Sequence, residues 1–352
     1  MKDSEYDILV VGAGPAGSSA AFVAAKKGVK VLLVDSRSEP GLPVRCAEYV
    51  PAQLLGKVGA DRSFLVQPVK GMMTLISGRE SKYTAASGFM IDRGIFDRSL
   101  AEAAVNEGAE ILSGTRALSL EDGIVLLKGP GGRLSKVRAG IIIGADGPHS
   151  TVGRWIDSTN SNLIPGLQYR VPLKRPLDHT RVYLEKYIYA GYGWLFPRGQ
   201  VANVGLGMKK SGQRPGEIRL ALERFLAMLA EKDLVEPVKL GTVAGWIPAE
   251  SGRRICRGKI LLAGDAAGHT HPITGAGIAN AVLGGRMAGK WAAKAAIRKD
   301  EKILQGYERE WNDTFKESLE RASSKRMLME ERWDLFEEII KGCWVAFRQY
   351  YE

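Results

Sequence analysis

The sequence predicts an α/β protein in which a parallel sheet is combined with a second, antiparallel sheet and a helical C-terminal region. Residues 7–35 read as a buried strand, a glycine turn, a helix, a second strand and an acid, the opening of a parallel sheet. From about 165 to 250, alternating strands surround one helix, which is typical of an antiparallel sheet. From about 300 onward the pattern is helical and mixed in charge.

The turn after the first strand has the pattern G-x-G-x-x-G. Gly12 allows the tight turn, Gly14 lets a pyrophosphate approach the backbone, and Gly17 lets the helix press on the strand. Pro15 and Ala16 lie between these glycines and belong to the same predicted site. The helix that begins here directs unpaired N–H groups and its positive dipole end at the diphosphate. The segment therefore predicts dinucleotide binding.

An acid ends the second predicted strand. Asp35 follows residues 29–34 and is placed to accept hydrogen bonds from a ribose diol. It favours an unphosphorylated ribose, so FAD or NAD(H) is expected rather than NADP(H). The first turn alone does not distinguish FAD from NAD.

Composition bounds the class of protein. A chain of 352 residues is long enough for two domains, and 45 % hydrophobic with 25 % charged residues is ordinary for a soluble protein. The net charge of +11 fits a positive face towards anionic headgroups or a phosphorylated substrate, or simply a solvated basic surface. Nucleic acid is not expected as a partner, because no stacking motif or basic helix accompanies the charge.

The cysteines and the N-terminus predict the cellular location. Cys46, Cys256 and Cys343 lie far apart without a C-x-x-C pair, which argues against metal sites and disulfides and fits a reducing compartment. Acids beside the first apolar run are unlike a signal peptide, and apolar stretches fall short of the roughly 18–20 residues that span a bilayer. The expected location is cytoplasmic, with peripheral contact at the inner face of the membrane left open.

Further elements are predicted in order along the chain. A hairpin lies around 71–83, and a helix from 93 ends at the glycine at 108. A polar hairpin at 123–139 precedes a buried strand at 141–143. A second parallel-type strand at 259–263 leads into a glycine-rich turn and a long helix.

Two later segments resemble parts of a known flavoprotein pattern. In IIIGADGPHSTVGRW, Asp146 follows a buried strand; in KILLAGDAAGHTHPITGAGIANAV, Gly264 and Asp265 follow a strand and Pro272 precedes a glycine turn. Together with the opening turn, they resemble the FAD-dependent family of the glutathione reductase/p-hydroxybenzoate hydroxylase fold. This resemblance implies that FAD is the cofactor.

The resemblance also implies roles for individual residues. Asp265 would bind the ribityl chain, and the turn at Gly275 and Gly277 would bring a helix N-terminus to the flavin C2 carbonyl, stabilising negative charge on the reduced ring. Arg93 would contact the cofactor near its phosphates. The other positions assigned to the cofactor in this way are Arg45, Cys46, Asp146, Gly264, Pro272, Ala276 and Ile278.

Residues 192–207, YGWLFPRGQVANVGLG, resemble a signature of the geranylgeranyl reductase family. The positions that fill it are Tyr192, Trp194, Phe196, Pro197, Gly205 and Gly207, with Arg198 at a usually basic position. The loop PVRCAEYV resembles the family's cysteine-bearing loop near the flavin. The resemblance implies a reductase that saturates carbon–carbon double bonds of a prenyl lipid or prenyl diphosphate. It makes these six residues candidate substrate contacts, and it does not identify the electron donor, ferredoxin or NAD(P)H.

The aromatic residues of this signature have two interpretations. Alternate residues of a strand share a face, so Tyr192, Trp194 and Phe196 would line one surface at about 6–7 Å spacing. That surface could wall a tunnel for an isoprenoid chain, or it could be the core of the second domain.

The candidate proton donors also have two interpretations. Cys46 and Tyr192 are the candidate catalytic residues, and the reduced flavin itself or a bound water are the other proton sources left open. Arg45 could lower the pKa of the neighbouring Cys46 thiol. A buried, inert thiol is the alternative for Cys46. His269 and His271 flank the flavin turn and are either proton relays or satisfied loop histidines.

Two other functions remain open. The resemblance disfavours a monooxygenase or halogenase of the same fold. Ring hydroxylases of this fold usually carry an arginine seven residues after the aspartate of the second motif, where this chain has Gly153 followed by Arg154. They also commonly carry a histidine where this chain has Gly268. A non-catalytic electron-transfer or membrane-docking protein would use an apolar C-terminal stripe, which otherwise covers the protein's own core. That stripe consists of Trp333, Phe336, Ile340, Trp344 and Phe347.

The predicted architecture is a Rossmann-like FAD-binding domain with a parallel sheet, an inserted antiparallel-sheet substrate domain and a C-terminal helical region. The expected boundaries are 1–65, 90–155 and 255–297 for the FAD-binding domain, 66–89 and 156–254 for the substrate domain, and 298–352 for the helical region.

Overall fold

The computed structural model describes residues 4–58, 61–210, 212 and 216–352, which form two β-sheets with helices around them. The strands in chain order are β1 (Ser4–Val11), β2 (Val31–Val34), β3 (Tyr49–Pro51), β4 (Leu65–Ile76), β5 (Arg79–Ile91), β6 (Glu110–Leu112), β7 (Arg116–Glu121), β8 (Ile124–Lys128), β9 (Leu134–Gly144), β10 (Leu163–Pro172), β11 (Thr180–Leu184), β12 (Tyr192–Arg198), β13 (Val201–Gly207), β14 (Gly241–Pro248), β15 (Cys256–Arg257) and β16 (Ile260–Leu262). The α-helices are α1 (Pro15–Ala25), α2 (Arg93–Asn106), α3 (Thr151–Trp155), α4 (Glu217–Glu231), α5 (Ile278–Arg298), α6 (Gln305–Glu331) and α7 (Phe336–Cys343).

Sheet A is the parallel sheet that the sequence predicts. Its order is β15-β16-β9-β1-β2-β6, and the strands from β16 to β6 pair in parallel. The predicted polar hairpin and the buried strand after it share one long strand, β9, which pairs with β8 on its outer part and with β1 along most of its length. Because β1, β9 and β16 are parallel, the three motifs that follow them meet at one edge of the sheet.

Backbone hydrogen bonds join these motifs. The Ala145 amide donates to the Val11 carbonyl at 2.7 Å, and the Ala263 amide donates to the Gly144 carbonyl at 2.9 Å. Helix α5 also presses on α1, since a Cβ on Gly285 would lie 2.0 Å from the Ala16 carbonyl oxygen. The edge of sheet A is therefore rigidly packed.

Sheet B has the order β14-β10-β13-β12-β11-β4-β5-β3. Its pairs are antiparallel except for β11 and β4, which run parallel, so the expectation of an antiparallel sheet needs this correction. The reason is topological: after β5 the chain leaves to build α2 and part of sheet A, re-enters sheet B as β10 between β13 and β14, and only then places β11 beside β4. Helix α4 covers one face of sheet B, where Phe225 packs on Tyr183 with ring centroids 5.1 Å apart.

The C-terminal helices cover part of the other face of sheet B. The five side chains of the apolar C-terminal stripe are all buried, in one cluster with Val182 and Leu184 of β11. The interpretation that this stripe lies on lipid is therefore wrong for this conformation, because sheet B already covers it. Among the described residues, no helix is both long enough and apolar enough to cross a bilayer.

Candidate active site

The opening glycine turn forms a cradle at the N-terminus of α1. Gly12 has φ +103°, and a Cβ on it would lie 2.3 Å from the Ala145 carbonyl oxygen. A Cβ on Gly17 would lie 1.7 Å from the Gly12 carbonyl oxygen. Gly14 differs, because no atom lies within 4 Å of its Cβ position. The open space at Gly14, beside a helix that begins at Pro15 without a side-chain cap, fits a diphosphate held by backbone N–H groups.

Asp35 closes the cradle at the end of β2. Its carboxylate accepts hydrogen bonds from the Ala13 amide at 2.6 Å and from the Arg37 amide at 2.7 Å, one on each oxygen. Each oxygen keeps acceptor capacity for a ribose hydroxyl. The residues present therefore fit the adenosine half of a dinucleotide.

The carboxylate of the second motif, Asp146, is engaged in hydrogen bonds within its own chain. The Asp146 carboxylate accepts hydrogen bonds from the Thr151 amide at 2.6 Å, the Val152 amide at 3.2 Å and the Ser150 hydroxyl. Burial raises the pKa of Asp146, while these donors oppose that rise. Asp146 thus accepts from the first two amides of α3, whose N-cap is Ser150, and fixes the turn beside the glycine cradle.

The third motif presents a second helix N-terminus. Asp265 accepts a hydrogen bond from the Thr270 hydroxyl at 2.9 Å, and burial raises its pKa. Gly275 has φ +65°, and α5 begins at Ile278 after Gly277 without a side-chain cap. The free N–H groups at this end suit the negative charge of a reduced flavin. Among the other predicted residues of this motif, Gly264 packs on Ala16, Pro272 is buried, and Ala276 is exposed.

Cys46 and Arg93 lie together between the two sheets. Arg93 pairs with Asp97 through two hydrogen bonds of 2.9 and 2.8 Å. Cys46 Sγ accepts a hydrogen bond from the Glu48 amide at 3.2 Å. Burial raises the pKa of the Cys46 thiol, although Arg93 opposes the rise. The expectation that Arg45 lowers this pKa is wrong, since Arg93 is the cation that acts on the thiol and desolvation outweighs it.

Glu48 is a residue that sequence reasoning missed. It is 1 % exposed, with φ +70°. One carboxylate oxygen accepts hydrogen bonds from Arg170 at 2.8 Å and Asn203 at 3.0 Å and lies 3.3 Å from Arg198 Nε, and the other accepts from the Arg93 amide at 3.2 Å. Glu48 therefore ties the cysteine loop to three strands of sheet B. The one feature of the sequence that pointed to Glu48 was the basic residue at 198, and the sequence does not show which acid pairs with it.

The aromatic residues of β12 form one face, here called the aromatic face: Tyr192, Trp194 and Phe196. Consecutive ring centroids are 5.8 and 6.5 Å apart. Gly205 lies opposite Trp194 on β13 and leaves room for it, because a Cβ on Gly205 would lie 2.5 Å from the indole. Gly207 lies opposite Tyr192. Pro197 is buried, but strand alternation puts it on the other face of the sheet.

The aromatic face bridges the two flavin loops. The Tyr192 hydroxyl donates to the Thr274 carbonyl in the third motif. At the other side the Trp194 indole donates to Gln168 at 3.0 Å, and the Gln168 amide donates to the Cys46 carbonyl at 3.2 Å. The structure thus brings Cys46, Tyr192 and the flavin turn together. Gln168 was also missed, since its contact depends on the pairing of strands far apart in sequence.

The two loop histidines are neutral and structural. His269 stacks on Trp311 with ring centroids 3.4 Å apart, and burial holds its pKa well below the ordinary value. His271 Nδ1 accepts from the amides of Ile273 and Thr274, both at 3.3 Å, and burial lowers its pKa to about 4. These contacts favour structural loop histidines, with the Gly264 amide donating to His269 Nδ1 at 3.2 Å; the buried His269 Nε2 has no hydrogen-bond partner among the described residues.

Comparison with known proteins identifies the family of this chain. The family model described as FAD binding domain matches residues 5–322. A digeranylgeranylglycerophospholipid reductase of Methanosarcina acetivorans is 39 % identical over 341 residues, covering 89 % of this chain and 82 % of that protein. A reductase of the same name from Methanopyrus kandleri is 34 % identical over 351 residues, covering 93 % and 91 %.

Solved structures give the same relation. A geranylgeranyl bacteriochlorophyll reductase-like protein of Thermoplasma acidophilum is 30 % identical with a TM-score of 0.85, covering 98 % of this chain and 93 % of that one. A probable FAD-dependent monooxygenase of Pseudomonas aeruginosa is 19 % identical with a TM-score of 0.71, covering 96 % and 100 %, and shares the fold alone. These matches span most of the chain, which therefore belongs to the FAD-binding domain family and, within it, to the geranylgeranyl reductase family of FAD-dependent proteins.

Proposed function

We propose that this flavoprotein saturates isolated carbon–carbon double bonds of a prenyl lipid or prenyl diphosphate with geranylgeranyl-type chains. The observation that carries the proposal is the aromatic face, which spans the distance between the cysteine loop and the flavin turn. An isoprenoid chain offers only methyl groups and double bonds, so it is gripped by apolar and aromatic surface rather than by hydrogen bonds. The names of the curated relatives support the same substrate class.

The residues that would hold the cofactor lie along the edge of sheet A. Gly14 and the α1 N-terminus would hold the diphosphate, Asp35 would hold the ribose, and Asp265 with the α5 N-terminus would hold the ribityl chain and the ring. When bound, reduced FAD supplies the hydride for the double bond.

The proton has two candidate sources in this chain. Burial raises the pKa of both the Cys46 thiol and the Tyr192 hydroxyl, so both hold their protons at neutral pH. Tyr192 already donates to the Thr274 carbonyl, whereas the Cys46 thiol accepts from a backbone amide and keeps its own proton free to donate. Cys46 is therefore the better donor to the alkene carbon.

The rest of the site orients the chain and excludes water. Trp194 is held by Gln168, and Phe196 packs edge-on against Tyr49 with ring centroids 6.2 Å apart. Fixed aromatic rings leave an apolar surface without unpaired polar atoms, which keeps water away from the reacting carbon.

The test is an anaerobic incubation of the dithionite-reduced holoprotein with geranylgeranyl diphosphate and with a geranylgeranyl ether lipid. The expected product has gained two hydrogens for each double bond reduced, as measured by mass spectrometry. Cys46→Ser is expected to retain FAD and lower the rate about 100-fold, within the range for loss of a general acid. Reoxidation of the flavin by an artificial acceptor is the control for its competence. A competent flavin with no product of increased mass contradicts the proposal, and oxygen-dependent hydroxylation would favour a monooxygenase.

Dithionite bypasses the natural electron donor, which the same assay can then address. Ferredoxin and NAD(P)H are the two candidates, and replacing dithionite with each in turn distinguishes them. A donor that supports product formation at the dithionite rate is the one that this chain accepts.

A further inference from the structure

Strand β14 is one edge of sheet B, and it differs from the other sheet edges of the described chain. The edge of a sheet presents unpaired backbone N–H and C=O groups, which native proteins protect from pairing with other chains. The edge strands β3, β6 and β15 are protected by their length of three, three and two residues. The edge strand β7 has six residues, but it carries Arg116 and Glu121 and a register shift.

None of these protections applies to most of β14. It has eight residues, GTVAGWIP, without a charged side chain, and it pairs with β10 at eight consecutive positions without a register shift. Its one proline, Pro248, is its last residue. Thr242, Ala244 and Trp246 are exposed, and Leu240, just before the strand, is 56 % exposed. A long, regular and uncharged edge of this kind is a template for a further strand.

Alternate residues of β14 direct their backbone groups away from β10. The Ala249 amide donates to the Asn162 carbonyl at 2.9 Å, which sets the phase of the pairing. In an antiparallel pair, residues that exchange hydrogen bonds alternate with residues whose N–H and C=O groups point outward. Counted back from Ala249, the outward residues are Thr242, Ala244 and Trp246. Their amides make no hydrogen bond to another segment of the described chain.

The charges that flank β14 favour a second copy of the same strand. Lys239 precedes the strand with its side chain 40 % exposed, and Glu250 follows it without an ion pair to any described residue. A two-fold axis at Ala244, the middle of the outward residues, places Thr242 opposite Trp246 of the other copy. It also places Lys239 of each copy diagonally across from Glu250 of the other, whereas parallel pairing would bring like charges together.

We propose that two copies of this chain associate through β14, antiparallel about a two-fold axis at Ala244, so that sheet B continues from one copy into the other. The outward backbone groups then gain partners, and the exposed Leu240 and Trp246 side chains lose contact with water. The interface is isologous, as in most homodimers. One strand pair is a small interface, so the expected Kd is about 1 µM. The dimer does not depend on the reaction that the protein catalyses.

Sedimentation velocity of the FAD-loaded protein tests the dimer at concentrations from about 0.1 to about 100 µM, on either side of the expected Kd. The wild type should pass from monomer to dimer over this range. Ala244→Lys changes an exposed side chain and places two ammonium groups at the axis, so the protein should fold and the Kd should rise at least about tenfold.

Leu118→Lys is the matched control, because Leu118 is an exposed residue of another edge strand, β7. It should leave the Kd unchanged. A wild type that stays monomeric at every concentration overturns the inference, and an acidic protein or other chain that then binds β14 would replace the second copy. An unchanged Kd in Ala244→Lys, or an equal rise in Leu118→Lys, also overturns it.

Disulfide trapping tests the position of the axis. Residues that exchange hydrogen bonds across an antiparallel pair have Cα atoms about 5.5 Å apart, a distance that a disulfide spans. Oxidation of Ala244→Cys should therefore yield a covalent dimer on a non-reducing gel. In Thr242→Cys, an exposed position on the same side of β14, the two thiols would be four positions apart along the strands, about 13 Å, and should not join. The wild type controls for the native cysteines. No covalent dimer with Ala244→Cys, or equal amounts with both variants, contradicts an axis at Ala244 and overturns the inference.

Discussion

The flavin cradle and the aromatic face are adjacent, but they are built in different ways. The cradle is one local turn between β1 and α1, closed by Asp35 at the end of β2, and its fit depends on backbone geometry at Gly12, Gly14 and Gly17. The aromatic face depends on side chains distant in sequence: Gln168 and Cys46 are 122 positions apart, and Trp344, which packs on Tyr192, donates its indole N–H to Thr74, 270 positions away. A backbone site can therefore be read from a short segment, whereas a site of side chains depends on the whole fold.

The largest expected effect is in the cradle, where two glycines of one motif should behave differently. Gly17→Ala places a methyl group 1.7 Å from a backbone oxygen that cannot move aside, so we expect loss of the folded protein, a cost above about 4 kcal/mol. Gly14→Ala meets no protein atom within 4 Å, so it should fold with a cost of about 1 kcal/mol or less. Its methyl group points where the diphosphate must approach, and FAD affinity should fall at least about tenfold.

Soluble yield, urea unfolding of the apoprotein and flavin titration measure these effects. A Gly14→Ala protein with unchanged FAD affinity would mean that the open space at Gly14 does not face the diphosphate. A stable Gly17→Ala protein would mean that α1 can shift away from the turn.

The next effect concerns Glu48, which joins the two regions. Glu48→Ala removes the buried carboxylate that Arg170, Asn203 and Arg198 share. Arg198 keeps its ion pair with Asp92 at 2.6 Å, but the other donors lose their acceptor, so the free energy of unfolding should fall by about 3 kcal/mol.

Glu236→Ala is the control, because Glu236 pairs with Lys174 at 3.5 Å with both side chains more than 40 % exposed, and its loss should cost less than about 1 kcal/mol. Urea unfolding of both holoproteins measures the difference. Equal costs would show that the buried carboxylate adds no more than a surface ion pair.

The same contrast explains what the sequence could predict. The strand, turn and helix of the cradle, the parallel sheet and the shared side of Tyr192, Trp194 and Phe196 follow from local spacing, and the structure has each of them. The parallel pair of β11 and β4 could not be predicted, because nothing local says where a returning strand inserts. The partners of Glu48 and the packing of the C-terminal helices on the aromatic face likewise depend on contacts between residues far apart in sequence, so they could not be predicted either.

A third, smaller effect tests the packing of the aromatic face. Gly205→Ala would put a methyl group 2.5 Å from the Trp194 indole and 2.7 Å from the Leu167 carbonyl oxygen, and such overpacking should cost about 2–3 kcal/mol. Gly207→Ala is the matched control on the same strand, since its nearest contact, with Ile247, would be 3.4 Å. Thermal unfolding and tryptophan fluorescence measure both. If the two variants melt together, Trp194 has more freedom than its hydrogen bond to Gln168 indicates.

The smallest effect concerns His271, which lies between the cradle and the C-terminal segment that packs on the aromatic face. Its pKa is lowered by burial from 6.5 to about 4, so between these values the unfolded chain binds a proton that the folded protein excludes. The free energy of unfolding should therefore fall as the pH drops below about 6.5, by about 2 kcal/mol from this residue between pH 7 and pH 5.

His271→Asn keeps an acceptor for the amides at 273 and 274 and should remove this contribution to the pH dependence of the free energy of unfolding. Urea unfolding at a series of pH values measures the slope of that free energy against pH. Equal slopes in wild type and His271→Asn would mean that His271 is hydrated and that its contact with the Tyr350 hydroxyl, 3.4 Å from Nε2, does not seal the flavin turn.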